Sequence, residues 1–233
     1  MFDQSKTINQ KNAHYGLKSG KILTLDNVGV NFKNFNALST IQMEIGQGEI
    51  LFITGASGAG KTTLLRVLSG QLQPTKGRVQ LLRPHAHMAL VFQDLRLIEN
   101  YSCEMNLMMA YDNSIYKNKN EFVYEMVEFA NILKIRNRLN LKIKDANGGL
   151  KQKIAILRAL LSRPDVIFLD EPTSSLDQEN ALKIFELLNF LNVKKGLTVV
   201  WASHDRDLIR SFSGRIIHLD GGRLIHAGHA CFI

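Results

Sequence analysis

Residues 55–62, GASGAGKT, have the residue types and the spacing of a loop that binds phosphate groups. In such a loop the backbone N–H groups and the N-terminus of the next helix surround a phosphate, while Lys61 reaches the outer oxygens. The Thr62 hydroxyl is then in position to bind Mg²⁺. The residues predicted to contact a nucleotide here are Gly55, Ala56, Ser57, Gly58, Ala59, Gly60, Lys61, Thr62 and Thr63.

Two adjacent acids, Asp170 and Glu171, follow the apolar run VIFL. Asp170 at a strand end can hold Mg²⁺, mostly through water, opposite Thr62. Glu171 can orient and deprotonate a water molecule that attacks a phosphate, which makes it the candidate general base. An Asp-Glu pair at a strand end is alternatively an ordinary structural feature, and the upstream phosphate loop favours the catalytic interpretation.

Gln93 and His204 each come after an apolar run, ALVF and VVWAS respectively. Because the carboxyl ends of parallel strands meet at one edge of a sheet, we expect both side chains near Asp170. His204 could hydrogen-bond the outermost phosphate, and Gln93 could contact the metal or the attacking water. A single His or Gln after a strand is more often structural, so each assignment also has that alternative.

Hydrophobic periodicity predicts the elements that position these residues. ILFITG predicts a buried strand before the phosphate loop, and KTTLLRVLSG predicts a helix that ends at a glycine. Strands then alternate with helices up to LTVVWAS, which predicts an α/β fold, a P-loop NTPase core with a mainly parallel central sheet. ILTLDNVGVNF and ALSTIQMEI predict an N-terminal antiparallel β flap, residues 100–138 a helical insertion, and Gly221 with Gly222 the turn of a closing hairpin.

Length and composition indicate one compact domain, because 233 residues are too few for two ordinary domains. We expect residues 1–20 to form a flexible polar tail and residues 21–233 to form the domain, with a helical subdomain at about 98–158.

The chain carries a formal net charge of +8, with much of the excess between Lys117 and Arg158. This excess indicates either a solvated helical face or a surface for anionic lipid or nucleic acid. Cys103 and Cys231 form neither a metal-ligand spacing nor a disulfide framework, which is typical of a cytosolic protein. Since no apolar run reaches about 20 residues, attachment to a membrane would require a partner.

Together these motifs resemble the nucleotide-binding domains of ABC ATPases over about residues 21–228. GASGAGKT corresponds to the Walker A loop, VIFLDE to the Walker B strand and SSLD at 174–177 to the D-loop, while Gln93 is the Q-loop glutamine and His204 the switch histidine. The resemblance implies that the chain binds ATP and Mg²⁺, with Thr62, Gln93 and Asp170 at the metal. It also implies hydrolysis by Glu171, His204 and Gln93.

In this family two copies pack head to tail, and the signature loop of one copy, Leu-Ser-Gly-Gly-Gln, closes over the nucleotide of the other. The matching residues here are ANGGL, 146–150, which we call the signature segment. Gly148 and Gly149 retain the backbone donors, and Asn147 offers an amide and a helix N-cap, whereas Leu150 cannot donate. The resemblance therefore implies a homodimer on ATP binding, with Asn147, Gly148, Gly149 and Asp177 at the partner's nucleotide, and slowed turnover.

Within the family, VFQDLRLIEN at 91–100 and RIIHLDGGRL at 215–224 resemble the cell-division ATPase FtsE, with LolD-like export ATPases as near relatives. This implies an FtsX-like integral membrane partner on the surface after Gln93, and a cytoplasmic location on the inner face of the cell membrane. Phe32 falls where the family places an aromatic that stacks on adenine, although an aromatic on a flap strand is otherwise ordinary packing.

Two alternatives remain open at this point. The altered signature segment is also compatible with an ATP-gated clamp or scaffold that hydrolyses negligibly, although a pure clamp needs neither Glu171 nor His204. The basic charge permits a soluble ABC ATPase that acts on nucleic acid, which a single cassette with a short helical insertion disfavours.

Overall fold

The structure, a computed structural model, describes residues 20–33 and 35–230. Its strands are β1 (Lys21–Phe32), β2 (Phe35–Gly46), β3 (Ile50–Thr54), β4 (Lys76–Leu81), β5 (Met88–Val91), β6 (Val166–Asp170), β7 (Thr198–Ser203), β8 (Gly214–Asp220) and β9 (Arg223–Ala230). Its α-helices are α1 (Lys61–Leu68), α2 (Cys103–Met108), α3 (Lys119–Ile132), α4 (Gly148–Leu161), α5 (Gln178–Lys195) and α6 (Arg206–Arg210). Residues 1–19 and Cys231 lie outside the described residues, so the flexible tail stays a prediction.

The central sheet has the strand order β5-β6-β7-β3-β8-β9. Neighbouring strands from β5 to β8 are parallel, and β9 pairs with β8 as an antiparallel hairpin. Every residue of β3, β6 and β7 is buried, because each of these strands has a hydrophobic cluster on both faces. The predicted α/β fold with a mainly parallel sheet and a closing hairpin is therefore confirmed.

A second sheet of three strands, in the order β2-β1-β4, forms the antiparallel flap that the sequence predicted. Its third strand, β4, comes after α1 in the chain and pairs with β1 from Leu23 to Gly29. The flap lies against the phosphate loop, since a Cβ on Gly60 would approach the Ala37 carbonyl oxygen of β2 to 2.7 Å.

The helical insertion contains α2 and α3 but is not helical throughout residues 100–138. Residues 109–118 separate the two helices. The chain turns within this segment, where the Asp112 carboxylate accepts a hydrogen bond from the Ser114 N–H at 2.7 Å. The Ser102 hydroxyl caps α2 and the Asn118 side chain caps α3. The boundary of a subdomain at about 98–158 stays a prediction.

An ionic network joins the insertion to the rest of the domain. The Glu125 carboxylate on α3 accepts hydrogen bonds from Arg163, which follows α4, and from Lys195 at the end of α5. Arg163 also binds Glu121 at 2.9 Å, and its guanidinium lies 4.0 Å from the Tyr116 ring centroid. Burial raises the pKa of Glu125, but the hydrogen bonds from Lys195 and Arg163 outweigh it, so this pKa lies below its ordinary value.

We expect Glu125→Gln to lower the free energy of unfolding by about 1 to 3 kcal/mol at neutral pH, because charged hydrogen bonds are lost. Because the pKa of Glu125 is lower in the folded protein, the ionised carboxylate stabilises the parent above the unfolded pKa of about 4.3. This stabilisation is lost as the pH falls through the folded pKa. Urea unfolding at several pH values should show the two proteins converging in acid. The control is Glu128→Gln, an exposed acid on the same helix, and equal effects of the two changes would contradict the network's role.

Candidate nucleotide site

The phosphate loop, Asp170 and His204 meet at one edge of the central sheet, where its parallel strands have their carboxyl ends. The phosphate loop follows β3, Asp170 ends β6, and His204 follows β7. The strands are in register there, with Thr54 beside Ser203 and Asp170 beside Ala202. The tertiary structure therefore brings together residues that lie far apart in the chain.

The phosphate loop has a backbone that only glycine adopts easily. Gly55 and Gly60 have φ angles of 155° and 102°, and a Cβ on Gly55 would come within 2.4 Å of the Leu219 carbonyl oxygen. The Lys61 ammonium group folds back over the loop and donates to the carbonyl oxygens of Gly55 at 2.8 Å and Ala56 at 3.1 Å. Because α1 begins at Lys61, its free N–H groups and positive end lie at the loop, as an anion site requires.

Thr62 and Asp170 lie beside each other, as the sequence predicted. Asp170 is buried at the end of β6, and burial raises its pKa, as does the nearby charge of Glu171. A hydrogen bond from Thr62 and the charge of Lys61 act in the opposite direction. A hydroxyl and a carboxylate are oxygen donors of the type that Mg²⁺ prefers, so this pair fits the metal.

The Glu171 carboxylate lies between two cationic or proton-donating groups. Its Oε2 is 2.9 Å from His204 Nδ1, and its Oε1 is 3.5 Å from the Lys61 ammonium. The carboxylate is largely buried, whereas the His204 ring is mostly exposed. Glu171 has a φ of 50°, a conformation that costs a non-glycine residue free energy and that clusters at functional sites. Glu171, Lys61 and His204 thus form one contact group.

Gln93 and Phe32 are two predicted site residues with exposed side chains. Gln93 is exposed two residues beyond β5, whose Val91 pairs with Leu169 of β6, so it belongs to the same edge. Phe32 ends β1 with 51% of its surface exposed, and Phe35 opposite it on β2 is 60% exposed. Sequence reasoning missed Phe35, although two phenylalanines on either side of a turn were the available signal.

The signature segment begins α4. The Asn147 side chain caps the helix by accepting a hydrogen bond from the Leu150 N–H at 2.9 Å, which confirms the predicted N-cap. Gly148 and Gly149 form the first turn and pack closely on residues 175 and 176, because a Cβ on Gly149 would lie 2.9 Å from Leu176 Cδ2. The Asp177 side chain caps α5 through the Asn180 N–H. The contacts of these residues with a partner's nucleotide stay predictions.

Leu150, which has no side-chain donor, is a core residue in this structure. Its side chain is 3% exposed and belongs to the hydrophobic core beneath α4, so this position packs rather than contacts a ligand in the single chain. The effect of the missing donor on the partner's nucleotide stays a prediction.

We expect Leu150→Gln to lower the free energy of unfolding by about 1 to 3 kcal/mol, because it buries an amide in an apolar cluster. Turnover should not increase. The control is Leu150→Met, which keeps volume and should cost less than about 1.5 kcal/mol. A Leu150→Gln protein as stable as the parent with faster phosphate release would contradict this interpretation.

Gln152 is a site residue that sequence reasoning missed. It is 4% exposed, and its amide NH₂ donates to the Glu171 carbonyl oxygen at 3.1 Å. The only sequence signal was a polar residue on the inner face of the helix KQKIAILRALL.

Comparison with known proteins identifies the family. The model of the ABC transporter family matches residues 38–174. The chain belongs to this family. ABC ATP-binding proteins are ATPases. Among the described residues of this ABC protein, no helix has both the length and the apolar character to cross a membrane.

Curated relatives and solved structures agree with this membership. The methionine import ATP-binding protein MetN 1 of Pectobacterium atrosepticum is 32% identical in an alignment that covers 89% of this chain and 66% of the relative. MetN of Francisella tularensis is 34% identical over 82% of this chain and 58% of its own length. The ABC protein thus spans less than two thirds of these relatives.

Among solved structures, a dimeric ATP-binding cassette, MJ0796, in a post-hydrolysis state with ADP and Pi bound, is similar with a TM-score of 0.79 and 29% identity. The match covers 91% of this chain and 100% of that one. The similarity confirms the cassette fold.

Proposed function

We propose that this chain is the ATP-hydrolysing subunit of a membrane-associated ABC complex. The observation that carries the proposal is the Glu171 carboxylate, held between Lys61 and His204 beside the phosphate loop. A clamp without hydrolysis needs no carboxylate at this place. The arrangement combines an anion site, a base and a group that orients the base.

Each residue has a separate role in the proposed reaction. The loop amides and Lys61 bind the β- and γ-phosphates of ATP, and Glu171 orients the attacking water and accepts its proton. His204 holds the Glu171 carboxylate through Nδ1 and is available to the γ-phosphate. Thr62 and Asp170, with Gln93, would hold Mg²⁺, which when bound neutralises charge on the phosphate oxygens.

The proposed active form is a homodimer that ATP binding closes. Asn147, Gly148 and Gly149 open α4, whose first N–H groups and positive end suit the γ-phosphate of the partner copy, and Asp177 lies on the adjoining loop. Phe32 is available to stack on adenine, because half of its surface is exposed at the end of β1. The similarity to a dimeric cassette supports this assembly.

The proposed partner is an FtsX-like integral membrane subunit that contacts the surface after Gln93 and holds the chain at the inner face of the cell membrane. The segment VFQDLRLIEN supports it, and Ile98, Tyr101 and Met105 expose apolar side chains on this surface. The names of the MetN relatives favour a second candidate, the membrane subunit of a methionine importer. A LolD-like export complex is a third.

Phosphate release from Mg-ATP tests the activity, with Glu171→Gln as the blank. We expect a rate above the blank that rises faster than linearly with protein concentration, because each site needs two copies. The measurement is then repeated in nanodiscs with an FtsX-like subunit or with a methionine importer's membrane subunit. The subunit that stimulates turnover identifies the complex, and no rate above the blank under any of these conditions would contradict hydrolysis.

A further inference from the structure

We propose that Gln152 is a positioning residue for the general base and holds the peptide of Glu171 by a direct hydrogen bond. The inference rests on the proposed hydrolysis with Glu171 as the base. Gln152 lies in the second turn of α4, four residues after the signature glycine Gly148.

The Gln152 amide makes three hydrogen bonds to the loop after β6. Its NH₂ group donates to the Glu171 carbonyl oxygen at 3.1 Å and to the Ser174 hydroxyl oxygen at 2.9 Å. Its carbonyl oxygen accepts from the Ser175 N–H at 3.1 Å. A buried amide whose oxygen and NH₂ group are both hydrogen-bonded restrains the groups that it joins.

The Glu171 backbone needs such support. Its φ of 50° is unfavourable for a residue with a side chain, so the conformation persists only where neighbouring contacts impose it. On one side the Glu171 N–H donates to the Ala202 carbonyl oxygen at 2.9 Å. On the other side the Glu171 carbonyl oxygen accepts from Gln152 and from the Ser174 N–H at 3.3 Å. Loss of Gln152 would free this peptide and shift the carboxylate away from Lys61 and His204.

The same contacts join the signature segment to the base. Gly148 and Gly149 pack on Ser175 and Leu176, and a Cβ on Gly148 would lie 3.1 Å from the Ser175 side chain. The helix turn offered to the partner's nucleotide is therefore fixed to the loop that carries the chain's own base.

The first test is Gln152→Met, which keeps the side-chain length but removes all three hydrogen bonds. We expect kcat to fall about ten- to a hundredfold, because the base is displaced, with the KM for ATP unchanged within about threefold. The matched control is Asn192→Leu. Asn192 is 6% exposed and donates to the Gly48 and Leu197 carbonyl oxygens, at the opposite edge of the central sheet. This control should lose stability and keep the parental kcat.

The second test is the pH profile of Gln152→Glu, which also serves if Gln152→Met does not fold. A protonated carboxyl has an O–H that can donate to the Glu171 carbonyl oxygen, whereas the ionised form cannot. The ratio of the variant's kcat to the parent's should therefore rise as the pH falls. With each rate divided by the folded fraction at that pH, which circular dichroism measures, a merely structural role predicts a flat ratio.

The outcomes separate this inference from the proposed function. If the parent releases phosphate no faster than Glu171→Gln, the proposed function fails. The inference alone is overturned if the parent is active and Gln152→Met keeps the parental kcat, whether or not its KM changes. It is also overturned if the kcat of Gln152→Met falls no further than that of Asn192→Leu. A flat pH ratio for Gln152→Glu overturns it as well.

Discussion

Replacing Glu171 with glutamine should reduce the rate of phosphate release by about a hundred- to ten-thousandfold, the contribution of a well-placed general base. The amide is nearly isosteric with the carboxylate and can still contact His204, so the site should keep its shape. It cannot accept the proton of the attacking water, and ATP should therefore bind without being consumed. Binding constants from a fluorescent ATP analogue should stay within about threefold of the parent, because binding and transition-state stabilisation are separate.

Blocked hydrolysis should also change the assembly of this variant. With ATP and Mg²⁺ present, the Glu171→Gln chain should accumulate as a dimer, which light scattering after size exclusion would detect. The control is Glu186→Gln, an exposed change of the same kind on α5, which should keep the parental rate and stay monomeric. Parental turnover in Glu171→Gln would show that another group is the base.

Replacing Lys61 with methionine should weaken ATP binding about ten- to a hundredfold, which corresponds to about 1.5 to 3 kcal/mol for a lost charge-assisted contact. Lys61 is 7% exposed, and its ammonium is held at the loop by the Gly55 and Ala56 carbonyl oxygens. Methionine keeps the length of the side chain but offers no charge to the phosphates. Titration calorimetry with ATP measures the change.

The same substitution removes a positive charge that lies 3.5 Å from the Glu171 carboxylate and also acts on Asp170. The Lys61 charge opposes the upward shift of the Asp170 pKa, so this pKa should rise further in the variant. The control is Lys76→Met, an exposed lysine at the start of β4, which should bind ATP as the parent does. Equal ATP affinity of the Lys61 variant and the parent would show that the loop does not bind phosphate in the predicted manner.

The sequence predicted the reacting groups because their positions depend on local structure. The loop GASGAGKT needs only its own glycines and the start of α1, and Asp170 and His204 need only the ends of buried strands. Since parallel strands share one carboxyl edge, the sequence also predicted that His204 lies near Asp170, and the structure places His204 Nδ1 2.9 Å from Oε2 of the adjacent Glu171. The Asn147 cap was predictable for the same reason.

Only the tertiary structure decided the contacts that depend on how elements pack. It buries Leu150 in the core, pairs β4 with β1 across an intervening helix, and joins Glu125 to Arg163 after α4 and to Lys195 at the end of α5. It also directs Gln152 to the backbone of Glu171, 19 residues away. The type of a residue states which hydrogen bonds it can make. Which partners it contacts depends on the rotation of its helix about the helix axis and on long-range packing. A local sequence pattern determines neither of these.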